Sequence, residues 1–212
     1  MALFITFEGG EGCGKSVQAR ALYKRLSQLD IPTLLTHEPG GTPLSKKIRG
    51  WLKQGENTRI SPLAELLLFN ASRTQLIDEV IRPELKKGKV VICDRYVDST
   101  TAYQSYGRGL DLQMVTAINN VATQGLKPDL TILLDTSAEE GLARKKGKTR
   151  QDRFEQENIA FHQRVRKGYL ELAAKEPERW LKIDASQPKE EIEEIIWQKV
   201  SQLLSQRGFR HE

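Results

Sequence analysis

Residues 2–17 read Ala2-Leu3-Phe4-Ile5-Thr6-Phe7-Glu8-Gly9-Gly10-Glu11-Gly12-Cys13-Gly14-Lys15-Ser16-Val17. The first six are an apolar run of strand length and predict a buried strand. Val17 to Tyr23 carries helix-forming residues and predicts a helix from Lys15 to about Leu29. Between them, Gly9 to Ser16 fits G-x-x-x-x-G-K-[ST]. Glycines let such a loop turn sharply and aim backbone N–H groups at one concavity. The helix N-terminus adds partial positive charge there. Strand, glycine loop and helix in that order build a phosphate cradle: Gly9, Gly10, Glu11, Gly12, Cys13, Gly14, Lys15, Ser16 and Val17. Lys15 is expected to reach β- and γ-phosphates of a bound triphosphate, and Ser16 to hold Mg²⁺.

The pattern repeats outward. Apolar strands are predicted at Leu3–Phe7, Pro32–Thr36, Lys89–Cys93, Leu130–Leu134 and Trp180–Ile183, separated by helical segments. Helices are expected at Leu44–Lys53, from Ser61 to about Lys87 with a kink or a second segment at Pro83, at Asp111–Thr123, after Ser137, from Arg153 to about Ala174, and from Pro188 to about Leu204. Ser61-Pro62, Asp111 and Ser137 with Glu140 are helix starts. Alternating strands and helices predict an α/β fold, a doubly wound five-stranded parallel sheet with helices on both faces. The whole chain, 1–212, reads as one domain.

Polar residues collect where the strands end. Glu8 follows the first strand, His37-Glu38 the second and Asp94-Arg95-Tyr96 the third. The carboxyl ends of parallel strands share one edge, so these groups are expected to converge on the phosphates. Asp94 suits a second Mg²⁺ carboxylate, and Arg95 a bidentate phosphate clamp; a structural Asp–Arg pair is the alternative. Phe69 and Arg73 stand four apart, on one helix face, where a ring and a guanidinium can meet a flat base. Taken alone, Phe69 reads as core. Asp98 to Gln104 is polar and aromatic without amphipathic order, a loop by composition and a pocket wall by position.

The chain has 212 residues and a formal net charge of +5. Arg144, Lys145, Lys146, Lys148, Arg150 and Arg153 face a single acid, Asp152, within ten residues, so this segment accounts for the whole excess. One concentrated cationic stretch suits a compact polyphosphate better than a long duplex, so no nucleic-acid partner is expected; a solvated loop is the other reading. No apolar run approaches a membrane span and no secretory signal is visible, so no membrane partner is expected. Cys13 and Cys93 are the only cysteines. One sits in the loop and one in a strand, which reads as reduced thiols in a cytoplasmic protein.

Together these segments resemble the bacterial thymidylate kinases, members of the P-loop nucleoside monophosphate kinases. The matching stretches are Phe7 to Ser16, Thr36-His37-Glu38-Pro39-Gly40-Gly41-Thr42, Leu67-Leu68-Phe69-Asn70-Ala71-Ser72-Arg73, Asp94-Arg95-Tyr96-Val97-Asp98-Ser99, Ala102-Tyr103-Gln104, Gly107-Arg108-Gly109-Leu110 and Pro128 to Asp135. They appear in family order over nearly the whole chain. The resemblance implies transfer of the γ-phosphoryl of ATP to dTMP, with Mg²⁺. It implies that Phe69 stacks on thymine, that Arg73 donates to the O4 edge, and that Ser99 and Gln104 line the base pocket. It places Tyr103 on the deoxyribose, Arg49 and Arg95 on the dTMP phosphate, and Glu11 near the 3′-hydroxyl or a metal-bound water. Glu38 and Pro39 would form a rigid turn, a candidate for a cis bond, below the acceptor. Arg150 and Arg153 would belong to a lid, at about 144–153, that closes over ATP and joins Lys15 and Arg95 in catalysis. His37 stands where the family often has arginine, so a cation there is conditional near pH 7. Family members commonly form homodimers, and the stripe Leu63, Leu66, Leu67 is either core or interface. Another small monophosphate kinase and a nucleotide switch are the competing classes; no guanine-reading N-K-x-D motif is present.

Overall fold

A computed structural model describes residues 2–53, 59–145 and 152–209. Five strands, β1 (Leu3–Glu8), β2 (Thr33–His37), β3 (Val90–Asp94), β4 (Leu130–Asp135) and β5 (Trp180–Asp184), form one parallel sheet in the order β2-β3-β1-β4-β5. β1 is central, with Phe7 opposite Asp94 of β3 and Glu8 opposite Leu133 of β4. The chain reverses direction across the sheet on either side of β1, so the loop leaving β1 opens into the crevice between two halves.

Alternation sorts the strand residues between two faces. Leu3, Ile5 and Phe7 pack with Val90, Ile92, Ile132 and Leu134 under α1 (Lys15–Gln28) and α9 (Lys189–Gln206). Phe4, Val91 and Cys93 pack on the opposite face. They meet α3 (Pro62–Leu76) and the wide helical turn at Ile77–Ile81 that follows it. Farther along this face, Leu133 and Trp180 meet α8 (Ile159–Lys175) and the wide-turned segment Thr101–Gly107. The remaining helices are α2 (Pro43–Lys53), α4 (Arg82–Lys86), α5 (Val97–Thr100), α6 (Leu112–Thr123) and α7 (Ala138–Ala143).

Two expectations are corrected and one is met. The helix predicted from Ser61 to Lys87 divides, and Pro83 stands at the start of its second segment, because it has no N–H to donate and clashes with the turn before it. The backbone widens at 77–81, where Arg82 N donates to Ile77 O. The helix predicted from Arg153 begins at Ile159, with Asn158 as its cap, because Asp152 Oδ1 instead accepts from Phe154 N and Glu155 N and folds 152–158 into turns. The polar stretch 98–104 is helical, not a loop: α8 packs against it and supplies the tertiary burial its composition lacks.

Candidate functional site

The glycine loop joins β1 to α1. Gly12 and Gly14 adopt left-handed backbone, φ 69° and 97°, which glycine reaches without strain. Gly12 also lies against α7, where a Cβ would stand 1.9 Å from Gly141 O. Lys15 folds back over the loop: its Nζ donates to Gly9 O at 3.0 Å and Gly10 O at 2.5 Å, and approaches Cys13 Sγ at 3.3 Å. Val17 N and Gln18 N bond to Gly14 O and start α1. Ser16 Oγ donates to Asp94 Oδ2, across the neighbouring ends of β1 and β3. A hydroxyl and a carboxylate side by side are the hard oxygen donors Mg²⁺ takes, and Mg²⁺ needs few protein ligands beside phosphate oxygens and water.

Arg95 leaves β3 with φ 71°, in the left-handed region, so its side chain turns toward the loop. Nη1 donates to Gly9 O, Ser99 Oγ and Tyr169 Oη at 3.1–3.2 Å; Nη2 donates to Glu11 Oε1 at 2.7 Å and Tyr103 Oη at 3.2 Å. Burial alone would raise the Glu11 carboxyl, but Arg95 and Lys15 outweigh it and hold it at about 2. Behind this cluster the buried Glu8 accepts from Tyr96 N, Ser99 Oγ and Tyr169 Oη. Burial, reinforced by Asp98, raises Glu8 to about 7.

The cradle opens into a cleft of about 660 Å³, within the range of small-molecule sites. Glu11, Glu38, Pro39, Arg49, Phe69, Arg73, Arg95, Ser99, Tyr103 and Gln104 all line it, together with Gly12, Gly14, Lys15, Ser16, Val17 and Asp94. All the residues picked out as acceptor site therefore share one cavity with most of the phosphate loop; Gly9, Gly10 and Cys13 are not among its lining residues. Glu38–Pro39 is a cis peptide, and Pro39 O accepts from Arg49 Nη1 at 2.8 Å. Burial and Arg49 lower the His37 imidazole, which disfavours a cation there.

Arg73 is almost fully buried, and its five N–H groups are taken: Nε by Glu38, Nη1 by Asn70 and Asn119, Nη2 by Tyr96 O and Thr100 Oγ1. A contact from Arg73 to a base edge therefore shares one of these hydrogens. Arg153 does not join the phosphate groups. It is not among the residues that line the cleft, and donates to the buried Glu65 Oε2 and to Leu52 O at the cleft wall, because a fully buried carboxylate draws any guanidinium within reach. Arg150 lies outside the described residues. Lys145 takes the place expected of the basic segment, with Nζ 2.8 Å from Glu155 and 3.9 Å from Glu11.

Sequence reasoning missed Phe154 and Glu155, which line the cleft, and Tyr169, which holds Arg95. Tyr169 and Phe154 are single rings in helical or turn segments and carry no motif. Thr100, which also lines the cleft, lies inside the segment read as a pocket wall.

The family model for thymidylate kinase matches residues 7–196. A curated thymidylate kinase of Dehalococcoides mccartyi (strain CBDB1) is 58% identical over 212 residues, covering all of both chains. That of Trichlorobacter lovleyi is 50% identical over 190 residues, covering 87% of this chain and 90% of its own length. The crystal structure of thymidylate kinase from Ehrlichia chaffeensis superposes with a TM-score of 0.71 at 35% identity, covering 86% of this chain and 92% of that one.

Proposed function

Since the chain belongs to the thymidylate kinase family and phosphorylates dTMP to dTDP with ATP, we propose that it does so within the single cleft described above, as one kinase domain. The observation that carries this assignment of roles is the shared cavity: a cradle of loop amides at one end and an aromatic, amide-lined pocket at the other.

ATP and dTMP together bring about six negative charges into that space. Transfer needs this charge neutralised and the acceptor oxygen aligned with the γ-phosphorus, with little covalent work for the protein. No general base is assigned, because the acceptor phosphate is already anionic. Lys15 and Arg95 now bond to protein oxygens, and substrate phosphate oxygens take over the Lys15 bonds and part of those of Arg95, whose pairing with Glu11 stays. Lys15 then serves the ATP β- and γ-phosphates, and Arg95 with Arg49 serves the dTMP phosphate. Glu11, held ionised, keeps Arg95 fixed between Tyr103 and the loop. Phe69 stacks on the base, Tyr103 presses on the sugar, and Ser99, Gln104, Glu38 and Pro39 complete the pocket. Ser16 and Asp94 would hold Mg²⁺, which shields charge between the β- and γ-phosphates when bound. The catalytic cation from the basic segment is then Arg150 or Lys145, not Arg153.

A homodimer is proposed through α2 and α3, which pack together and leave Leu44, Trp51, Leu63 and Leu67 exposed. Leu66 alone of the predicted stripe is core. We place the enzyme in the cytoplasm, without nucleic-acid or membrane partners. No helix among the described residues is long and apolar enough to cross a membrane. An ADP-release assay with ATP-Mg²⁺ and each nucleoside monophosphate in turn tests the substrate assignment: dTMP is expected to give the highest kcat/KM, and a higher value for any purine monophosphate would refute it.

A further inference from the structure

Glu65 stands in the first turn of α3 with its side chain fully removed from solvent, behind the residues that line the cleft. Its carboxylate receives four donors. Oε1 accepts from Gln104 Nε2 at 2.8 Å and Arg108 Nε at 3.1 Å; Oε2 accepts from Arg108 Nη2 at 3.2 Å and from Arg153 Nη2. Four donors fill the lone-pair positions of one carboxylate. Two guanidiniums pair with it, and Glu157 accepts from Arg108 Nη1. Both arginines are braced on the Phe154 ring, 5.7 and 4.9 Å from its centroid, so this constellation is rigid from several sides.

Both Glu65 oxygens act as acceptors here. The Gln104 side chain, which lines the cleft and is almost fully buried, must therefore turn its NH₂ to Glu65. One of its two N–H groups is thereby spent on Glu65, and the carbonyl oxygen is the acceptor that the amide offers a ligand. A carbonyl suits a base that carries an N–H at its edge. Thymine has such a hydrogen on N3; cytosine has a lone pair there, and two acceptors face to face leave both buried groups unpaired. That is the asymmetry by which a polar site rejects an analogue strongly.

We propose that Glu65, without touching substrate, is a specificity-determining positioning residue: it fixes the orientation of the Gln104 amide and so makes the pyrimidine pocket accept N3–H bases and reject cytosine. This rests on the dTMP kinase reading, and wild-type turnover of dTMP tests that reading separately.

The test compares dTMP with 5-methyl-dCMP, which share phosphate, sugar and 5-methyl group and differ only at the N3 and C4 edge. Discrimination is the ratio of kcat/KM values, or of KM to Ki where the cytosine analogue acts only as a competitor. In Glu65→Gln the partner amide can donate or accept, Gln104 is free to turn over, and the ratio is expected to fall at least tenfold. Gln104→Leu keeps Glu65 paired with both arginines and is expected to lose discrimination to a similar extent, which keeps the test open if Glu65→Gln does not fold. A purely structural Glu65 would lower kcat or the melting temperature and leave the ratio alone. A ratio within twofold of wild type in folded Glu65→Gln, or in Gln104→Leu, overturns the proposal.

Discussion

Gly141 in α7 packs on the phosphate loop so closely that a Cβ built there would stand 2.2 Å from Glu11 O. Ordinary contact begins at about 3.4 Å, so Gly141→Ala requires the two backbones to separate by about 1.2 Å. The obstructing atom is a main-chain carbonyl between Gly10 and Gly12, and it cannot swing away as a side chain would. The thermal effect is expected to be modest, because overpacking costs about 1–3 kcal/mol while alanine gains about 1 kcal/mol over glycine in a helix. The kinetic effect is expected to be large. Misplacing reacting groups by about 1 Å costs on the order of 100-fold, so kcat/KM for ATP should fall by about that factor, and that for dTMP should follow through kcat. Coupled ADP-release kinetics with a melting curve read both quantities. Gly50→Ala is the control: nothing lies within 4 Å of its Cβ, so the rate should hold and stability rise by up to about 1 kcal/mol. A folded Gly141→Ala enzyme with kcat and ATP KM within twofold of wild type would refute the reasoning.

Glu8 is raised from 4.5 to about 7 by burial and Asp98, although Arg95 and the Ser99 and Tyr96 hydrogen bonds pull it down. The native state keeps a proton that the unfolded chain releases, so this group's contribution falls as pH rises from about 4.5 through 7, by roughly 3 kcal/mol; Glu8→Gln should flatten the melting temperature between pH 5 and 8, and an unchanged slope would count against it. Phe69→Ala should weaken dTMP by about 1–3 kcal/mol, the usual worth of base stacking, with ATP nearly unaffected; equal losses in separate titrations would remove the stacking role. Leu67, half exposed on α3, is expected to sit in the dimer contact, so Leu67→Glu should halve the mass seen by light scattering, and an unaltered mass would exclude that face.

Local signals were the legible ones. Gly9 to Ser16 announces its own geometry because glycine, lysine and serine each do a stated job within eight residues. The convergence of Glu38, Arg95 and Gln104 followed from one topological fact, that parallel strands end on one edge. What stayed hidden depends on packing between distant segments. Glu65 reads as an ordinary first-turn acid, and only the approach of 104–108 and 153 makes it a hub. For the same reason the pairing of Arg153 with Glu65 was hidden: its charge is visible in the sequence, but its buried partner is not. Tyr169 looks like one more apolar position of α8 until its hydroxyl is seen between Arg95 and Glu8. The outward turn of Leu63 and Leu67 was invisible because an apolar stripe looks alike whether it faces a core or a partner.

The claim beneath all of this is that one cleft holds a triphosphate on main-chain amides and a pyrimidine against Phe69 and Gln104. A crystal structure with a non-hydrolysable ATP analogue and dTMP tests it directly. The expected density puts the β- and γ-phosphates against residues 10–16 and Lys15, the dTMP phosphate at Arg95, and thymine over the Phe69 ring with N3 facing the Gln104 carbonyl. Either nucleotide bound outside that cleft, or thymine seated away from Phe69, would contradict the account.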